Sequence, residues 1–78
     1  MPRKFAKRML RRMRYLRMTQ TQLSKATKIT EASISQYANG IRLPYIPHVV
    51  KIARALHVSL DWLILGDPDS LPDWKQNS

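Results

Sequence analysis

The stretch TQTQLSKATKITEASISQYANGIR, residues 19–42, decides the reading of this chain. Thr19 suits an N-cap, because its hydroxyl can accept a hydrogen bond from an orphan backbone N–H. The spacing after it predicts a helix over residues 20–27, anchored by Leu23 and Ala26. Thr30 is the next capping candidate and opens a second helix that runs through Ala38. Asn39-Gly40 closes that helix, since both residues tolerate the left-handed conformation in which helices end. On a helical wheel Thr30, Ser33, Ile34 and Tyr37 share one side, with Ile34 as core anchor. Glu31, Ala32, Ser35 and Gln36 share the other. These four are small or polar, so that face has no core to bury and is left to meet something polar.

Working outward, residues 3–17 read as a preceding helix. Ala6, Met9, Leu10, Met13 and Leu16 recur at three- and four-residue steps, and arginines fill the rest of the circumference. Residues 42–46 form a loop. Pro47 suits the first position of a fourth helix, whose buried stripe is Val49, Val50, Ile52, Ala53 and Leu56. Ser59 caps a short fifth helix over residues 60–65, with Gly66 just past its end. Residues 67–78, DPDSLPDWKQNS, read as a loose tail in which Leu71 and Trp74 are the docking candidates. There are no strand patterns and no repeats, so the expectation is an all-α, five-helix domain over residues 1–66 followed by that tail.

Composition bounds the function. The chain has 78 residues, enough for one domain with a small core. Its net charge is +9, unevenly placed: Arg3, Lys4, Lys7, Arg8, Arg11, Arg12, Arg14 and Arg17 precede Met18 with no acid among them. One end therefore attracts polyanions, although a basic helix taken alone is more often simply a solvated one. No apolar run approaches the roughly 18 residues of a spanning helix. No apolar run follows the charged N-terminus as a signal peptide requires. Both point to the cytoplasm. Cysteine is absent, and His48 and His57, nine residues apart, match no metal-ligand spacing; neither metal nor cofactor is expected. With no Gly-rich phosphate loop and no paired carboxylates on one element, an enzyme is not expected either.

The free face of the third helix suits base edges in the roughly 12 Å wide major groove. Gln36 can pair with adenine, Glu31 can accept from cytosine, the Ala32 methyl can touch thymine, and Ser35 can bond several partners. The two helices and their short turn have the form of a helix-turn-helix. Here the chain resembles the phage repressor and Cro family, of lambda-repressor-like fold, over about residues 9–66. The resemblance rests on the spacing of MTQTQL, ITEASISQYANGIRLP and VVKIARALHVSLDWLILG. It implies double-stranded DNA as partner, with Gln20 on a phosphate and Glu31, Ala32 and Gln36 at base-reading positions. Asn39, Gly40 and Arg42 would form the turn that grips the backbone. Lys28 stands where the family usually has Gly; a phosphate contact by its side chain would offset the strain of a positive φ there. Met13 and Ala38 stand where many relatives carry an Arg–Glu ion pair.

Arg8 and Arg11 on the first helix are further phosphate candidates. A module of this size buries too little surface for tight specific binding, so a homodimer on a pseudo-palindromic operator is expected. Leu60, Trp62, Leu63 and Ile64 are the candidates for its interface, unless they only close the monomer core. Two other readings exist. One is an antitoxin on the same fold, with Leu71 and Trp74 anchoring the tail in a protein partner. The other is membrane action by the basic helix of residues 2–18, which leaves residues 19–66 unexplained.

Overall fold

A computed structural model describes residues 2–66, and over that span the chain is all helix and loop. The order is α1 (Pro2–Leu16), α2 (Gln20–Thr27), α3 (Glu31–Ala38), α4 (Ile46–Leu56) and α5 (Leu60–Leu65). The tail of residues 67–78, with Leu71 and Trp74, lies outside the described residues.

Each start has a local cause. Thr19 Oγ1 accepts from Gln22 N at 3.1 Å, and Gln22 Oε1 accepts from Thr19 N at 2.8 Å, so a reciprocal capping box opens α2. Thr30 Oγ1 accepts from Ser33 N at 3.2 Å to open α3, and Ser59 Oγ accepts from Trp62 N at 3.0 Å to open α5. The α4 start differs from expectation: Tyr45 is the N-cap without a side-chain bond, and Pro47 falls one residue inside the first turn. Pro47 still fits, because an N–H in the first turn has no helical partner to lose.

The ends are tight. Arg17, Lys28 and His57 follow α1, α2 and α4 with φ of 55°, 60° and 56°. After α3 the left-handed role falls to Gly40 alone, at φ 68°, while Asn39 stays at φ −90°.

α1 packs against α3, α4 and α5; α2 packs against α3 and α4; and α4 packs against α5. Met9, Leu23, Ile34, Tyr37, Ile52, Leu56 and Leu63 are wholly buried at the centre. Each such side chain contributes about 1.5–3 kcal/mol of burial. Phe5 joins this core, whereas Leu10, Leu16 and Val50 are only half-buried. In α2 the buried partner of Leu23 is Thr27, not Ala26, which is exposed. The Thr27 hydroxyl is satisfied inside, donating to Leu23 O at 2.7 Å and accepting from Ile29 N at 3.3 Å.

The expectation that arginines fill the outside of α1 fails at two positions one turn apart. Arg8 is 3% exposed; its Nε donates to Leu63 O at 2.5 Å, its Nη1 to Gly66 O at 2.6 Å, and its Nη2 to Ile64 O. Arg12 is also buried, with Nε donating to Leu56 O at 2.7 Å. The last carbonyls of a helix lack partners within it and carry its negative dipole end. Two guanidiniums of α1 therefore close the C-termini of α4 and α5. Burial lowers both guanidinium pKa values from their ordinary position. Arginine nevertheless stays charged at neutral pH.

Candidate nucleic-acid interface

Ile34, Tyr37 and Ala38 hold α3 in the core by one side. On the other side Glu31 and Ala32 are exposed, and Ser35 and Gln36 are half-buried. All four side chains named from the wheel thus share one outer face. Glu31 stands in the first turn of α3, where the positive end of the helix dipole favours a carboxylate. Gln20, the first residue of α2, is half-buried.

The turn between α2 and α3 is fixed from within. Ile29 is buried, and the Ser24 hydroxyl donates to its carbonyl at 2.5 Å. Lys28 carries the left-handed conformation with its side chain exposed. It lines an open groove of about 530 Å³ with Lys51, Arg54 and His57, between the C-terminal ends of α2 and α4.

Beyond α3 the side chains form a connected series. Arg42 Nη1 donates to Gln36 Oε1 at 3.2 Å, and its guanidinium lies 5.7 Å from the Tyr37 ring centre. The Tyr37 hydroxyl shares a 2.6 Å hydrogen bond with His48 Nδ1, and Tyr45 lies against the His48 ring at 4.5 Å. Asn39 Nδ2 donates to Ser35 Oγ at 3.3 Å. Desolvation lowers the His48 pKa, and the positive charges of Lys51 and Arg42 add to the effect. Nothing in the residue pattern singles out Tyr37 and His48, because the packing of α3 on α4 brings them together.

Gly40 is where α1 touches this region. A Cβ added there would stand 3.4 Å from Arg3 Cα. Arg3, which is exposed, thus stands against the turn that follows α3. Arg8 points inward to α5, which withdraws it as a phosphate contact. Arg11, the other candidate, is half-buried.

The apolar candidates on α5 separate. Leu63 is wholly buried and belongs to the monomer core, so it is withdrawn as an interface residue. Trp62 is half-buried against that core. Leu60, Ile64 and Leu65 are 41%, 42% and 80% exposed. Ile64 opens onto a groove of about 200 Å³ shared with Phe5, Leu43, Pro44, Ile46 and Val49. Among the described residues no helix is long and apolar enough to cross a membrane, and no group of side chains has the makings of a metal site.

Residues 10–63 match the helix-turn-helix family. The chain is 34% identical over 61 residues to the HTH-type transcriptional regulator DicA of Escherichia coli strain K12. That alignment covers 78% of this chain and 45% of the relative, so the chain spans under half of that protein's length. No solved structure matches.

Proposed function

The chain belongs to the helix-turn-helix family of DNA-binding regulators that includes the phage repressors and Cro, and we propose that it is a dimeric repressor reading a pseudo-palindromic operator through α3. What supports this is one observation: α3 is anchored on one side by Ile34 and Tyr37, while its other side carries only Glu31, Ala32, Ser35 and Gln36. A helix so placed fits the major groove, with base edges read by hydrogen bonds and methyl contacts. Gln20, Lys28, Asn39, Arg42 and Arg3 would supply the phosphate contacts, which position the domain without reading sequence.

Pairing across a two-fold axis doubles the site and needs a self-complementary patch. Leu60, Ile64 and Leu65 are the exposed apolar side chains of α5, and Leu43 and Ile46 lie beyond them across the groove. Such a patch is small, so pairing would be weak in solution and strengthened on DNA by linkage.

The deciding experiment selects bound sequences from randomised duplexes, then repeats the measurement with Gln36→Ala. The expected result is a two-fold symmetric site, with roughly 1–3 kcal/mol lost on it and little change on random duplexes. Equal losses on both would show that α3 is not the reader.

A further inference from the structure

We infer that α1 bridges the mouth of the major groove in each half-site, with Lys7 beside Arg3 on the phosphates of one strand and Arg14 and Arg17 beside Gln20 on those of the other. The inference rests on α3 being the reader and adds the residues that hold the two strands on either side of it.

The course of α1 comes first. Its start lies against the turn after α3, where a Cβ on Gly40 would stand 3.4 Å from Arg3 Cα. Its end leads through Arg17, Met18 and Thr19 to Gln20, the first residue of α2. These are the two places where the backbone of a duplex is proposed to meet the domain. The 15 residues of α1 cover about 22 Å between them.

The two flanks of α1 are unlike. Arg8 and Arg12 share the flank that closes the C-termini of α4 and α5. At about 3.6 residues per turn, Arg3, Lys7 and Arg14 fall on one line along the other flank, the one that meets Gly40. Arg17 follows just past the helix end. All four are exposed, and no hydrogen bond or ion pair among the described residues occupies their side chains. The acids that precede Gly66 are Glu31 and Asp61, on α3 and α5. Cations gathered without a counter-charge on one flank suit a polyanion.

The spacing along this line points to two strands. From Lys7 to Arg14 the helix rises about 10.5 Å, close to the roughly 12 Å width of the major groove. Between them the line carries Leu10, which is half-buried and uncharged. Arg11, the nearest cation round the helix, is half-buried and engaged within the domain. A helix laid along a single strand would have use for a free cation at every turn. Free cations at both ends, with none between, match a helix that crosses from strand to strand.

The test selects an operator from randomised duplexes, then replaces its phosphates one at a time, on either strand, by uncharged methylphosphonates. The parent is compared with Lys7→Gln and Arg14→Gln, both at exposed helix positions that Gln suits. Arg54→Gln, which removes one charge in the last turn of α4, is the control. Each α1 variant should flatten the slope of log K against log salt by about 0.9 per protomer, and the double variant by about 1.8. Lys7→Gln should lose the parent's sensitivity to a neutral phosphate on one strand of the half-site, and Arg14→Gln on the opposite strand. Loss on the same strand for both would lay α1 along that strand and overturn the bridge. Unchanged slopes would leave these cations in free solvent, and equal flattening by Arg54→Gln would reduce them to net charge; either result overturns the inference. A selection that yields no preferred sequence would instead strike at the reading of α3 itself, and the inference would fall with it.

Discussion

Replacing Arg8 by Met separates the role the structure gives this residue from the one its charge suggests. Arg8 places three donors on the carbonyls of Leu63, Ile64 and Gly66. Hydrogen bonds from charged donors are worth about 1.5–3 kcal/mol each, and a cation at a helix C-terminus adds about 0.3–1 kcal/mol. Against this stands the cost of taking a guanidinium out of water, several kcal/mol where its partners are carbonyls and not a carboxylate. Met keeps much of the stem and removes that cost. It leaves the carbonyl of Leu63, the buried partner of the three, without its donor, a penalty of about 1–3 kcal/mol. Water can reach the other two more readily, since those bonds are only part-buried.

The net expectation for Arg8→Met is a loss of about 2–3 kcal/mol. In a domain this small that lowers the melting temperature by on the order of 10–20 °C, read by circular dichroism. DNA binding, measured where the variant is still folded, should keep the parent's salt dependence. Were Arg8 on a phosphate, its removal would instead flatten the slope of log K against log salt by about 0.9 for each phosphate no longer neutralised. A melting temperature within about 2 °C of the parent, together with a flatter slope, would refute the capping role.

Lys28→Gly should relieve the left-handed strain at φ 60° and raise stability by up to about 1 kcal/mol in urea unfolding; an unchanged or lower stability would show that the Lys28 side chain holds the turn by at least what its backbone costs. The folded His48 pKa lies below the unfolded value of 6.5, so the unfolded chain binds more protons in between. The His48 contribution is therefore full above that unfolded value and lost as pH falls from it through the lowered folded one. His48→Gln should flatten that part of the stability profile. Ile64→Asp should fold with a melting temperature near the parent's yet lose cooperative binding to the full operator; Leu63→Asp, at a wholly buried site, should unfold. Cooperative full-site binding by folded Ile64→Asp would place the dimer contact elsewhere.

Much of the fold is legible in the chain because its signals are local. Thr19, Thr30 and Ser59 cap helices through bonds to residues three positions on, so their spacing alone announces them. The outer face of α3 is equally local, since a 3.6-residue period fixes which side chains Ile34 leaves outside. What escapes depends on distant partners. Arg8 and Arg12 look like surface cations until the carbonyl ends of α4 and α5 arrive beside them. Thr27 takes the place expected of Ala26 because its hydroxyl finds acceptor and donor within the turn. The contact between Gln36 and Arg42 is hidden for a related reason: the loop carries Arg42 back over Tyr37, and no periodicity describes a loop.

The closing of α4 and α5 by α1 also bears on how the chain is made. Arg12 meets a carbonyl 44 residues further on, and Arg8 meets one 58 residues further on. A nascent chain thus carries both guanidiniums long before the backbone that receives them exists. At synthesis rates of about 5–20 residues per second that interval is roughly 3–12 s. During it the emerging first helix is a basic amphiphile, with Phe5 and Met9 uncovered beside its arginines. Only when residues 63–66 are free to fold can the earliest and latest segments of the domain latch together through Arg8.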